Sequence, residues 1–248
     1  MDQKPGQALG NHTVQPDRNH MLVGKDVSHS FQAARVLDGV SVSVDAGEAV
    51  ALVGPSGSGK TTLLYCLAGL IQPDSGKVAF QGRTLADLGD DARSELRRSS
   101  FGFIFQSSEL VPELTIAENI ALPLELLKVP KAERQERVGT LLDRLGLTRQ
   151  AGQRPARVSG GQAQRAAVAR AVIHRPAVVF ADEPTGALDS ANGAVVIDLL
   201  WELAREQNSA VVLVTHDHAL AQSADRTIAL LDGAIQVQES IAPRGAKK

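Results

Sequence analysis

Gly54-Pro55-Ser56-Gly57-Ser58-Gly59-Lys60-Thr61 satisfies the phosphate-loop pattern G-x-x-x-x-G-K-[ST] at every specified position. The apolar run Ala49-Val50-Ala51-Leu52-Val53 leads into it and Thr62-Leu63-Leu64-Tyr65-Cys66-Leu67-Ala68 follows it. That is the strand, loop and helix order in which the pattern has a mechanical meaning. Glycines let backbone N–H groups converge on phosphate oxygens, and the helix N-terminus adds positive potential behind them. The spacing predicts that Lys60 reaches the β- and γ-phosphates of a nucleotide, that the Thr61 hydroxyl ligates Mg²⁺, and that Thr62 donates a further hydrogen bond to phosphate. The fold class expected from this unit is α/β.

Downstream, Ala177-Val178-Val179-Phe180-Ala181-Asp182-Glu183 is an apolar run too short for a typical helix and ends in two carboxylates. It reads as a buried parallel strand whose acids emerge at its carboxyl end, the edge of an open α/β sheet where ligands bind. Asp182 is placed to hold Mg²⁺ through water, and Glu183 to polarise a water for attack on a γ-phosphate. Ala210-Val211-Val212-Leu213-Val214-Thr215 is a second such run, and His216, which ends it, should face the same crevice and hydrogen-bond the γ-phosphate. The aromatic and β-branched stretch Phe101-Gly102-Phe103-Ile104-Phe105 suits a strand leaving the core. Gln106, which follows it, presents a neutral amide able to touch Mg²⁺ or water without adding charge.

Val158-Ser159-Gly160-Gly161-Gln162 opens an Ala-rich helical stretch through Val172. A Ser-Gly-Gly turn before a helix is by itself an ordinary cap, but it also leaves free N–H groups at a second helix start, a second anion site on one chain. Two such sites per chain suit two shared nucleotides.

Taken in order, these motifs resemble the ATP-binding cassette (ABC) ATPases, over roughly residues 23–237. Val158-Ser159-Gly160-Gly161-Gln162 is similar to that family's signature, with Val158 in place of the usual leucine. Phe105-Gln106 resembles its Q-loop, Ala187-Leu188-Asp189 its D-loop and Thr215-His216-Asp217 its switch-histidine segment; Phe31 falls near the aromatic that stacks on adenine. The resemblance implies a P-loop core with a mostly parallel sheet flanked by helices, an antiparallel β subdomain and an inserted α-helical subdomain. It also implies a head-to-tail dimer of cassettes, a homodimer here, around two ATP, in which the signature of one chain completes the phosphate site of the other. Asp189 would cross that interface, a role compatible with capping the helix that begins near Ala191. Gln106 would act as the hinge that senses ATP. With no phosphate-chemistry position missing, the chain is expected to be an active ATPase, poor when alone, driving an integral membrane permease.

Ser108 through Leu124 is similar to the lipoprotein-releasing, macrolide-exporting and cell-division members of the family. Within it, Leu110, Val111, Leu114, Ile116 and Ile120 either floor a groove for a permease helix or build the subdomain's own core. The resemblance favours export or lipoprotein release and leaves open mechanical signalling through a membrane partner without transport.

Composition sets the remaining bounds. With 43% hydrophobic residues, 248 residues can bury one sizeable core with a helical insert. A net charge of −2 argues against a broad nucleic-acid surface, and no nucleic-acid partner is expected. The single cysteine, Cys66, precludes an internal disulfide and is expected to pack inside the helix after the phosphate loop. No run approaches the roughly 18 apolar residues of a membrane span, so membrane association is expected through the permease, on the inner face of the cell membrane. The expected organisation is a disordered tail at 1–20, an ABC ATPase domain at 21–238 with a helical subdomain at about 87–157, and a flexible tail at 239–248. In that subdomain Lys131 to Leu145 has helical apolar spacing closed by Gly146.

Overall fold

The computed structural model describes residues 20–240 apart from Ala33, and only the backbone of Ser190 and Ala191. The tails expected at 1–20 and 239–248 therefore lie almost entirely outside the described residues. In chain order the elements are β1 (Leu22–Phe31), β2 (Ala34–Val44), β3 (Ala49–Val53), α1 (Lys60–Leu67), β4 (Ser75–Phe80) and β5 (Arg83–Thr84). Next come α2 (Asp90–Ser100), β6 (Phe101–Ile104), α3 (Ile116–Leu126), α4 (Lys131–Arg144), α5 (Gly160–Val172) and β7 (Val178–Asp182). The chain continues through α6 (Ser190–Gln207), β8 (Ala210–Val214), α7 (His218–Ala221), β9 (Arg226–Leu231) and β10 (Ala234–Ser240).

Two sheets result. One is antiparallel in the order β2-β1-β4-β5, and the other runs β10-β9-β3-β8-β7-β6. In the second, β9, β3, β8, β7 and β6 are parallel, with β10 antiparallel on the edge. Every residue of β3 and β8 is buried, as expected for parallel strands covered on both faces. Their alternate side chains enter two separate cores. Val50 and Leu52 of β3, with Phe180 and Val212, meet Leu63 and Leu67 of α1 and Leu22 and Val42 of the antiparallel sheet. Ala51, Val53, Val179 and Leu213 instead meet Ile120 of α3, Leu141 of α4, Val168 of α5 and Leu200 of α6. The period-2 alternation of a strand thus organises the layers.

β6 pairs with β7 and so belongs to the main sheet, which places Phe101–Ile104 in the core although they fall within the stretch expected to be the helical insert. Gly146 adopts φ 62° just after α4 and donates its N–H to Asp143 O, the left-handed stop expected there. Cys66 is buried in α1, and burial pushes its thiol up to about 12.

Leu110, Ile116 and Ile120 are buried within the helical core. These three build the subdomain itself, whereas Val111 and Leu114, the other two residues of that set, are only half-buried. The polar centre of this region is Asn119, which has no exposed surface. Its amide N–H groups donate to the carbonyls of Val111, Leu114 and Thr115, and its oxygen accepts from Val111 N. One side chain thereby closes the turn before α3, while Thr115 and Glu118 form a capping box at the helix start. Asn119→Ala leaves these groups unpaired away from water, at a cost of about 2–3 kcal/mol. The melting temperature should fall by roughly 5–10 °C in a thermal unfolding scan; a change within error would show that water replaces the network.

Candidate active site

The loop from Gly54 to Gly59 leaves the carboxyl end of β3 and is shaped by contacts that only glycine permits. Gly54 has φ 149°, and a Cβ there would lie 2.1 Å from Leu230 O. Gly59 has φ 97°, and a Cβ there would lie 2.6 Å from Val36 O. The loop is thus clamped between β9 and β2. Gly59 is the N-cap of α1, with no side-chain cap and no acid in the first turn. Thr115, Ser159, Asp189 and Asp217 cap α3, α5, α6 and α7 through their side chains, and α2 and α4, which also lack a side-chain cap, carry acids in their first turns, Asp90 with Asp91 and Glu133. The opening N–H groups of α1, which have no intrahelical acceptor, therefore face outward as an anion site. Lys60 is only 8% exposed and bends back, Nζ donating to Gly54 O at 3.0 Å and Pro55 O at 2.8 Å.

Behind the loop, the Thr61 hydroxyl donates to Asp182 Oδ1 at 2.9 Å, joining the start of α1 to the end of β7. The Tyr65 hydroxyl donates to Asp182 Oδ2 at 3.1 Å. Burial, and after it the negative charge of Asp182, push the Tyr65 hydroxyl up to about 12, so it remains a donor. The next residue, Glu183, turns away from the strand with φ 48°, a conformation sparsely used by non-glycine residues and concentrated at functional sites. Its Oε2 lies 2.8 Å from His216 Nδ1, whose own segment follows β8. The adjacent acids are thereby separated in role by geometry, one held by α1 and one by the histidine.

An open cavity of about 530 Å³ gathers Phe31 with Ser56, Gly57 and Gly59 of the loop and Lys60, Thr61 and Thr62 of α1; Gln106, Glu183 and His216 complete its wall. Phe31 is 50% exposed and presents its ring beside the loop. Gln106 packs against Gly186, where a Cβ would come within 2.9 Å of its amide nitrogen. Gly54, Pro55 and Ser58 shape the loop without walling this cavity, and Asp182 sits behind Thr61. None of Ser159, Gly160, Gly161, Gln162 or Asp189 is on the wall.

Those five residues lie together elsewhere. Ser159 and Gln162 form a capping box, the Gln162 N–H donating to Ser159 Oγ and the Ser159 N–H to Gln162 Oε1. Gly161 faces Asn192, where a Cβ would be 3.2 Å from Oδ1. Asn192 in turn donates to both carboxylate oxygens of Asp189, which caps α6.

The motifs conceal the ties between α5 and the Gln106 segment. Gln164, 3% exposed, donates to Phe105 O at 3.1 Å. Arg170 donates to Ser108 O at 3.0 Å and Glu109 O at 2.6 Å, with its basicity lowered by burial. The signal that could have found them is faint, because Gln164 and Arg170 are two of four long polar side chains, with Gln162 and Arg165, in an otherwise Ala- and Val-rich helix. Beside this junction is an open apolar groove of about 320 Å³, where Phe103, Phe105, Leu122, Pro123 and the 55% exposed Leu126 face Arg97 and Arg98. Among the described residues no group of three or more His, Cys, Asp or Glu converges as a metal cage, and no helix is long and apolar enough to cross a membrane.

The ABC transporter family model matches residues 37–186. The lipoprotein-releasing system ATP-binding protein LolD of Legionella pneumophila is 41% identical over 215 residues, 87% of this chain and 95% of that protein. The pyoverdine export ATP-binding/permease protein PvdT of Pseudomonas syringae pv. tomato is 48% identical over 200 residues, 81% of this chain; the match spans 30% of that protein. Among solved structures, the ATP-binding cassette MJ0796, in a dimeric post-hydrolysis state with ADP and Pi, superposes with a TM-score of 0.82 at 38% identity, covering 91% of this chain and 100% of that one. With its phosphate loop, strand-end acids and signature in the order that defines such cassettes, the chain belongs to the ABC transporter family of ATP-binding ATPases.

Proposed function

We propose that this chain hydrolyses Mg·ATP as a head-to-tail pair of identical cassettes and thereby drives a membrane permease of the exporter or lipoprotein-releasing type, on the inner face of the cell membrane. The observation that carries the pairing is the split site. The uncapped start of α1 opens onto a cavity that its own Ser159–Gln162 segment does not reach. A second copy facing it would supply Ser159, Gly160, Gly161 and Gln162 to the γ-phosphate and Asp189 to the interface. The relatives are consistent with this: MJ0796 is dimeric, and PvdT is an ATP-binding/permease protein.

In this reading Phe31 stacks on the adenine, the loop from Gly54 through Ser58 and the N–H groups of Gly59 to Thr62 cradle the phosphates, and Lys60 leaves its loop carbonyls for the β- and γ-oxygens. Thr61 and Asp182 offer hard oxygen donors already side by side, which suits an ion that takes most of its shell from phosphate and water, and Gln106 adds a neutral contact. When bound, Mg²⁺ neutralises charge developing on the phosphate oxygens. Glu183 accepts a proton from the attacking water, and His216, already paired with Glu183, orients the water and the γ-phosphate. Because Gln164 and Arg170 grip the backbone on either side of Gln106, a shift of that loop on nucleotide binding would carry α5 and the groove with it. The groove of Phe103, Phe105, Leu122, Pro123 and Leu126 is where an apolar helix of the permease would seat.

Glu183→Gln should lower turnover by about 10²-fold or more while preserving ATP-dependent dimers in size-exclusion chromatography with light scattering; normal hydrolysis would remove Glu183 as the base. Lys60→Ala should abolish nucleotide binding in equilibrium dialysis, and retained tight binding would count against the phosphate-loop assignment. Leu126→Glu, on the groove rim, should release the protein from the membrane fraction without weakening ATP binding by the purified chain. Unaltered membrane recovery would move the permease contact elsewhere.

A further inference from the structure

We infer that Tyr65 is a positioning residue for Asp182, setting the plane of the carboxylate and so the affinity of the nucleotide complex for its divalent ion; this rests on the assignment of Asp182 proposed above. Tyr65 lies four residues after Thr61, so both side chains leave the same face of α1. Their hydroxyls take one carboxylate oxygen each, Thr61 on Oδ1 and Tyr65 on Oδ2. A carboxylate held at one oxygen can turn about its terminal torsion, which is broad. One held at both by a single helix cannot.

The helix is a rigid support for this. Leu63, Leu64 and Leu67 of α1 are at most 1% exposed, and the Tyr65 ring packs against the same core. At its other end, Asp182 is paired through its backbone with Val214 of β8. When Thr61 presents its oxygen to a metal ion, its hold on Oδ1 changes. Tyr65 does not border the nucleotide cavity, so its bond to Oδ2 persists and keeps Oδ1 aimed toward Thr61. Loss of an outer partner of this kind commonly lowers metal affinity by about 10- to 100-fold.

The test uses Mn²⁺ as a paramagnetic probe. Free Mn²⁺ is read by electron paramagnetic resonance as it is titrated into the full chain with saturating ADP, for the wild type, Tyr65→Phe and Asp182→Asn. Binding of a fluorescent ADP analogue in EDTA and the melting temperature of the ligand-free chain are measured in parallel. Tyr65→Phe should weaken Mn²⁺ binding about 10-fold or more, leaving metal-free nucleotide binding and melting unchanged, and Asp182→Asn should weaken Mn²⁺ binding at least as much. Mn²⁺ affinity lost in Asp182→Asn but intact in Tyr65→Phe overturns the role of Tyr65 alone. Intact affinity in Asp182→Asn removes Asp182 as the metal carboxylate and the inference with it. Parallel losses of metal binding, metal-free nucleotide binding and melting temperature in Tyr65→Phe would assign Tyr65 to the packing of α1, which also overturns it.

Discussion

The parallel sheet is covered on both faces, and that constraint governs everything else in the molecule. Strands β3, β7 and β8 send alternate side chains into two different cores, so their lengths contain no room for polar chemistry. Polar groups can emerge only where the strands end. Because β3, β8 and β7 are adjacent and parallel, their carboxyl ends coincide in space. The phosphate loop, Asp182 with Glu183, and His216 arrive at one edge for that reason, although 121 residues separate Thr61 from Asp182.

Helix capping then distinguishes two kinds of helix start. At α3 an oxygen-bearing side chain, Thr115, satisfies the first N–H groups, and at α2 and α4, which lack such a cap, acids stand in the first turn. At α1 the cap is a glycine in the left-handed region, and the donors stay open for an anion. The start of α5 is intermediate: Ser159 and Gln162 close a capping box, yet Gly160 and Gly161 keep the surface bare of side chains. A cap of this kind holds the helix in shape while leaving its first backbone groups uncovered by side chains. It lies away from the chain's own cavity.

Among the polar contacts of the helical layer, those from α5 fall at the segment that borders the nucleotide cavity, and those of α4 fall elsewhere. Gln164 and Arg170 bind backbone carbonyls on both sides of Gln106, and Arg144 of α4 reaches Glu202 and Glu206 of α6. The Arg144 pair is exposed, holds Glu206 acidic, and contributes little by itself. The buried ties from α5 are different in kind, since Gln164 is almost fully enclosed and loses a hydrogen bond that water cannot replace if the loop moves without it.

By itself the sequence determined the phosphate loop, the strand-end acids, the histidine, the helix stop at Gly146 and the family. Each of these is a local pattern, a glycine spacing or an apolar run with a polar end, whose physical meaning does not depend on distant residues. Only the tertiary structure decided the partnerships of those residues across the layers. Tyr65 looked like one more member of an apolar helix, and the bond to Asp182 exists because α1 lies against the end of β7. Leu110, Ile116 and Ile120 had the apolarity of a groove floor, but α3, α4 and α5 close over them, and the open apolar surface is built by Phe103, Phe105, Leu122, Pro123 and Leu126. Apolar periodicity states that a side chain turns inward; which layer it meets, and whether that contact is left open to a partner, is set by how the layers stack.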